Sequence, residues 1–428
     1  MSSALALLAD WLPHQRWFTV TGRPPRLRLL ADVPIEHAAA DDDARVRLLI
    51  VADDAAPRPL VYQIPLVERA AASLPRPAAV IGSIDDRVLI DGPHDAAFAT
   101  ALLRAVAPAV ADDAPAEVLR GEQSNTSIIF RPPGGTPIIC KVFRQVSEGL
   151  NPDIELQSAL ARAGSRHVPV VVGALEGTWE DPADAGARAG GSLAFAQEFF
   201  PGVQDAWRAA LGAAQADEEF GAPAEALGRA TAEVHRDLAR LFPAPVAGAA
   251  ARTAITAAWE RRLSIAVAEV PGLLPHQAAI RARYADGAAA EWPELQRIHG
   301  DYHLGQVLQV PGRGWVLLDF EGEPMRPIAE RRAPDLALRD VAGMLRSFDY
   351  VAGSVAQEHP GADAREWAAA ARAGFLRGYS RARGIEPIGP LLDALELDKA
   401  VYEAIYESRH RPGWLPIPLA AIDRLVTR

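Results

Sequence analysis

Strand-length apolar runs crowd the chain before Pro201, whereas beyond it the apolar spacing is helical almost without a break. Two short strand-like segments, 305–310 and 315–320, interrupt that second stretch. Such an order predicts an α+β protein in which a β-rich lobe precedes an α-rich one. The 428 residues are long for one core and fit two or three cooperating units.

Local signals set the expected boundaries. Residues 4–12 read as a short helix, and 27–30, 46–52, 60–67 and 88–91 as strands, which together make a small α/β cap over 1–90. Residues 100–110 look helical and lead into an Ala/Asp/Pro-rich linker at 111–116. A strand meander follows at 117–119, 127–131 and 137–143. After it come a helix at 151–163 and strands at 168–176 and 192–199, completing an intermediate lobe over 91–200. Residues 183–191 read as a loop insertion, and 201–428 as the helical C-lobe.

Charge and composition narrow the function. With 49% apolar and 23% charged residues the chain should fold as a soluble globular protein. A net charge of −11 speaks against nucleic acid or a membrane surface as the main partner, since both need concentrated basic surface. No stretch approaches the roughly 20 apolar residues of a membrane span, and residues 1–12 lack the basic start of a secretion signal, so a cytoplasmic location is expected. A single cysteine, Cys140, excludes an intramolecular disulfide and suits a reducing compartment.

The chemistry concentrates in Ile298-His299-Gly300-Asp301-Tyr302-His303-Leu304-Gly305-Gln306, followed by Leu317-Leu318-Asp319-Phe320-Glu321. An Asp five residues before an amide, then a second Asp after an apolar strand, suits phosphoryl transfer from a metal nucleotide. Asp301 would act as the base toward an acceptor hydroxyl, and Gln306 and Asp319, with Glu321 as a further candidate, would hold Mg2+. His303 falls on the acceptor side. His235-Arg236-Asp237 imitates a better-known kinase triplet, but it lies inside a helical pattern and Phe242 stands where an amide should be. Asp237 is therefore expected to be a charge on a helix. Gly-x-x-x-x-Gly-Lys, His-Glu-x-x-His and Gly-x-Ser-x-Gly patterns do not occur, which removes support for P-loop, zincin and α/β-hydrolase readings.

Only two of the 44 basic residues, Lys141 and Lys399, are lysines, so 42 are arginines. A lysine surviving that bias invites a functional reading. Lys141 ends the apolar strand Ile138-Ile139-Cys140 and Glu155 lies on the next helix, an arrangement in which a helix glutamate orients a phosphate-binding lysine. Lys399 has no such setting and is expected on the surface. Ser124, Asn125 and Ser127 occupy the turn where a phosphate loop would lie, although a polar hairpin turn reads the same way. Gln197 and Phe199 end the last strand before the helical lobe, where backbone usually meets adenine. Asp340 opens a helix, either capping it or bracing the catalytic segment. Tyr402, Glu403, Tyr406 and Glu407 form aromatic and acidic pairs on one helix that ends before Trp414; they suit a sugar site or simple packing.

These residues, with Gln15-Arg16-Trp17-Phe18 and Asn151-Pro152-Asp153, resemble the bacterial maltokinase family over nearly the whole chain. The resemblance implies a bilobal protein-kinase-like fold of the aminoglycoside-phosphotransferase type with an N-terminal cap. It also implies ATP-dependent phosphorylation of maltose to maltose 1-phosphate, and trehalose synthase as a possible partner in α-glucan metabolism. Otherwise a monomer or homodimer is expected. Glucosamine kinases are similar in architecture and form the alternative, with Glu403 or Glu407 pairing with the ammonium group. An aminoglycoside phosphotransferase and an ATP-binding pseudokinase are more distant readings.

Overall fold

A computed structural model describes residues 2–18, 22–36, 43–55, 58–74, 79–110, 114–119, 124–184, 186–323, 326–359 and 361–427. Contacts divide the chain into two compact units, 1–155 with 169–201 and 156–168 with 202–428.

The first unit holds two antiparallel sheets. Strands β1 (Leu27–Pro34), β2 (Arg45–Asp53), β3 (Leu60–Ala70), β4 (Val80–Ile84) and β5 (Arg87–Asp91) lie in the order β1-β2-β3-β5-β4. Strands β6 (Ala116–Val118), β7 (Asn125–Phe130) and β8 (Ile138–Phe143) belong to the second sheet, whereas the short β9 (Gln145–Val146) pairs with β3. With β10 (Val171–Glu180) and β11 (Arg188–Glu198) the second sheet runs β10-β11-β8-β7-β6. Period-2 alternation gives β2 two apolar faces. Val46, Leu48, Ile50 and Ala52 enter the larger core, while Leu49 and Val51 pack with Leu8 of helix α1 (Ser2–Trp11) and Leu12 of the 3-10 turn after it. The larger core also contains Phe98 and Leu102 of helix α2 (Ala96–Val106) and Phe130 and Phe195 of the second sheet.

Polar bonds tie the expected cap to the expected lobe inside this unit. Arg144 is buried, donating to both oxygens of Asp91 at 2.9 and 2.7 Å and to Thr126 Oγ1 at 2.8 Å, with its guanidinium 4.8 Å from the Trp17 ring. Gln63 on β3 donates to the carbonyls of Phe143 and Leu193. Residues 1–90 and 91–155 accordingly share one compact unit.

Some elements depart from expectation. Helix α2 starts at Ala96, not at residue 100, because the Asp95 side chain accepts from Ala97 N and caps it. Residues 188–191 extend β11 rather than forming a loop, since Gly190 and Gly191 pair with Thr178 and Gly177 despite their low strand propensity. Strand β4, absent from the expected strands, is short and mixes two exposed with three half-buried residues, so it carries no apolar alternation. Of the linker segment, 111–113 lies outside the described residues.

Helix α3 (Pro152–Arg162) begins in the first unit and ends in the second. The second unit contains α4 (Ala206–Gln215), α5 (Gly221–Leu241), α6 (Ala249–Glu269), α7 (Gln277–Ala289), α8 (Ile328–Arg332), α9 (Leu338–Glu358), α10 (Arg365–Arg383), α11 (Pro390–His410) and α12 (Pro416–Val426). The hairpin β12 (Val307–Val310) and β13 (Gly314–Leu317) interrupts them. Helices α5 and α10 touch backbone to backbone: a Cβ at Gly228 would lie 2.0 Å from Phe375 O, and one at Gly378 1.9 Å from Glu225 O. That contact fixes α5, which carries two of the side chains supporting residues 298–306.

Candidate active site

Residues 298–306 run between the core helices and β12, held from three directions. From α9, Asp340 accepts from His299 N at 2.8 Å and Gly300 N at 2.9 Å, and Ser347 Oγ accepts from Leu304 N at 3.1 Å. From α5, His235 Nε2 meets Asp340 Oδ2 at 3.0 Å, and Thr231 Oγ1 meets the buried Tyr302 hydroxyl at 2.8 Å. Just past β13, Leu318 O lies 2.8 Å from His299 Nε2, and Phe320 packs against the His299 ring. Burial would raise Asp340, but the hydrogen bond and charge of His235, the His299 charge and the Gly300 amide together hold its carboxyl below the usual range. Asp340 therefore braces residues 298–306. The decoy triplet lies within α5: Asp237 pairs with Arg240 on the surface, while His235 supports the real segment from beneath.

Asp301 is half-buried, and its Oδ1 lies 3.5 Å from Lys399 Nζ. Lys399 donates to the buried Glu323 at 2.5 Å and sits 4.8 Å from the Tyr402 ring centre. The expectation of a surface lysine is thus overturned: α11 turns this side chain toward the catalytic segment. Burial would lower the ammonium pKa, yet the Glu323 and Asp301 carboxylates outweigh it and hold the group above its ordinary value. The second surviving lysine was visible in the composition, but nothing in its local sequence indicated Glu323 as a partner.

Gln306 follows in the 3-10 turn Leu304–Gln306, and its Nε2 donates to Asp319 Oδ2 at 3.2 Å. Asp319 adopts φ +64, a left-handed backbone that costs a non-glycine residue of order 1–3 kcal/mol and often marks a functional position. Glu321 is half-buried two residues on. His303 Nδ1 accepts from Gly305 N at 3.1 Å, leaving Nε2 as the protonated nitrogen of the neutral ring. Burial lowers the pKa of His303.

In the first unit, Lys141 on β8 donates to Asp153 Oδ2 at 2.8 Å; the carboxylate is fully buried and the lysine nearly so. The carboxylate seen to accept from the lysine is Asp153, whereas the expected Glu155 is half-buried two residues on, in the same first turn of α3. Asn151 Oδ1 accepts from Asp153 N and starts the helix, turning position 153 toward β8. Ser127 is buried and directly opposite Lys141 in register, Asn125 starts β7, and Ser124 is exposed just before it. The preceding 121–123 lie outside the described residues. Gln197 pairs with Ile139, and its buried Oε1 has no hydrogen-bond partner among the described residues. Phe199 N donates to Pro137 O, and Arg131 lies 5.8 Å from the Phe199 ring centre.

The stripe on α11 divides by burial. Glu403 is buried and takes two bonds from Arg346 at 2.8 and 2.7 Å. Glu407, 1% exposed, accepts from the Tyr350 hydroxyl at 3.0 Å and from Arg411 at 2.9 and 2.6 Å. Both carboxylates are engaged inside the unit. Tyr402 and Tyr406 stay half-exposed, and Trp414 stacks on Tyr350 with ring centres 6.2 Å apart.

A strand lysine held by a helix carboxylate in one unit, and an Asp-x-x-x-x-Gln segment followed by a strained Asp in the other, are the parts of a kinase. The chain has the aminoglycoside-phosphotransferase-like fold and is a phosphotransferase with an alcohol group as acceptor. It belongs to the phosphotransferase enzyme family, which matches residues 115–391, and carries a maltokinase N-terminal cap domain at 11–95. A glucosamine kinase from Streptacidiphilus jiangxiensis is 31% identical over 402 residues, covering 86% of each chain. One from Mycolicibacterium smegmatis is 31% identical over 331 residues, 71% of this chain and 78% of that one. A solved glucosamine kinase in complex with glucosamine, ADP and inorganic phosphate superposes with a TM-score of 0.70 at 26% identity, over 98% of both chains. Among the described residues no helix is long and apolar enough to cross a membrane.

Proposed function

We propose that this protein is an ATP- and magnesium-dependent sugar kinase that phosphorylates maltose to maltose 1-phosphate. The observation that carries the choice of sugar is the state of Glu403 and Glu407. An amino sugar needs a carboxylate for its ammonium group, and Glu403 and Glu407 are already engaged by Arg346, Tyr350 and Arg411. The half-exposed Tyr402, Tyr406 and Trp414 suit the apolar faces of a neutral disaccharide. The maltokinase-type cap agrees with this reading. Glucosamine as acceptor, giving glucosamine 6-phosphate, is the second reading, favoured by the names of relatives 31% identical to this chain.

In this reading Asp301 accepts the proton of the attacking hydroxyl while the braced segment fixes its position. Lys141, held by Asp153, contacts the nucleotide phosphates, assisted by Ser124, Asn125 and Ser127. The Gln197 amide oxygen is an acceptor for an adenine amine, with Phe199 beside the base. Gln306, Asp319 and Glu321 would hold magnesium, and their all-oxygen donor set suits a hard cation. When bound, the metal supplies charge neutralisation on the transferring phosphoryl group. The test is a coupled ADP-release assay with magnesium across maltose, glucosamine, glucose and an aminoglycoside. Maltose should show the highest kcat/KM, and D301N should lose about 10²–10⁴-fold in kcat while retaining nucleotide affinity. Preference for glucosamine would transfer the assignment to the second reading, and near-normal turnover by D301N would refute the base.

A further inference from the structure

Among the described residues, Lys399 pairs with Asp301 and is left unused by the roles above. Its ammonium lies between two carboxylates, 2.5 Å from Glu323 and 3.5 Å from Asp301, over the Tyr402 ring. The Glu323 side chain is 6% exposed and that of Lys399 18%, so neither is a solvated surface group. Behind them Asp398, the neighbour of Lys399 on α11, is bound by Arg262 and Arg339, and Arg339 also holds Asp335 at 2.9 Å. This charged framework fixes the start of the Lys399 side chain. Glu323 fixes its end.

We infer that Lys399 positions the Asp301 carboxylate for the acceptor hydroxyl and, as a resident ammonium between Asp301 and Glu323, sets the preference for a sugar that carries no amine. The inference rests on Asp301 being the base. A carboxylate has two oxygens: contact with Lys399 through Oδ1 leaves Oδ2 for the hydroxyl proton and restricts rotation of the group. An acceptor hydroxyl must reach Asp301 within hydrogen-bonding distance. An ammonium on the same sugar ring then falls within a Debye length, about 8–10 Å, of the fixed Lys399 charge. Two carboxylates facing one ammonium would be a good receptor for an amino sugar, and Lys399 already fills that place. A protonated lysine suits the role, since Glu323 and Asp301 hold its pKa above the ordinary value.

The test compares K399M and K399R with the unaltered enzyme, measuring kcat and KM for maltose and glucosamine at saturating MgATP. K399M keeps an unbranched side chain one atom shorter and removes the charge. Its kcat on maltose should fall about 10²-fold, the effect of a misplaced base, with the KM for ATP unchanged. The ratio of glucosamine to maltose kcat/KM should rise on the order of tenfold as the resident ammonium leaves. K399R keeps the charge, so its ratio should stay near that of the unaltered enzyme and part of kcat should return. K399M with kcat within twofold of normal, or with an unchanged sugar ratio, overturns the inference. If K399M fails to bind MgADP or to unfold cooperatively, the double variant K399M/E323Q, which removes both charges, is judged by the same two criteria. An unaltered enzyme that phosphorylates neither sugar defeats the function proposed above and this inference with it. An active enzyme insensitive at Lys399 defeats the inference alone.

Discussion

Replacing Asp340 by Asn removes a charge from the point where the catalytic segment is fastened. The carboxylate accepts three bonds: His299 N and His235 Nε2 at one oxygen, Gly300 N at the other. An asparagine offers one acceptor oxygen. If that oxygen serves His299 and His235, its NH2 faces Gly300 N–H and a buried donor loses its partner, at about 1–3 kcal/mol. The remaining bonds lose their charge assistance, which roughly halves them. The total is on the order of 3 kcal/mol, a large share of the 5–15 kcal/mol that ordinarily separates folded from unfolded protein. Gly300 and Asp301 are adjacent, so a shift of about 1 Å in this segment should reduce kcat about 10²-fold. Urea unfolding of D340N beside the unaltered enzyme, with ADP-release kinetics on the same samples, measures both quantities. A variant within 1 kcal/mol of normal stability and threefold of normal kcat would refute the account of how the segment is held.

Three further outcomes follow from individual contacts. K141M deprives the buried Asp153 of its lysine, which should cost about 3–5 kcal/mol; adding D153N should recover stability in urea titrations but not nucleotide affinity by calorimetry. G378A forces a methyl into Glu225 O on the facing helix and should cost about 1–3 kcal/mol or more, and an unchanged unfolding midpoint would contradict the close approach of α5 and α10. Burial lowers the folded-state pKa of His303 below its ordinary 6.5, so the unfolded chain takes up that proton first. The contribution is present above pH 6.5 and is lost as pH falls below it. Thermal midpoints between pH 7.5 and 5.5 should therefore fall less steeply in H303Q than in the unaltered protein.

The order of β-rich and helical regions, the Asp301 to Gln306 spacing, the strand before Asp319 and the placing of Lys141 on a strand were legible in the sequence, although β8 runs two residues past Lys141 instead of ending there. Each depends on residues only a few positions apart, whose geometry the local backbone sets. The decoy at His235 was rejected on the same local ground, because a helix cannot present it as a loop. Partner choice was not legible. Asp153 and Glu155 stand two residues apart on one helix, and only the docking of α3 against β8 decides which carboxylate meets Lys141. Lys399 meets Asp301 from 98 residues away, and the rotation of α11 in the core turns that lysine inward together with Glu403 and Glu407. Helical periodicity places Tyr402, Glu403, Tyr406 and Glu407 near one another, but it does not say which of them will be buried against Arg346 and Tyr350. Likewise the buried Arg144–Asp91 pair, 53 residues apart in the chain, exists only once two sheets close over a shared core. Burying such charges costs desolvation energy that only a well-placed partner offsets, and tertiary packing alone brings the partners together.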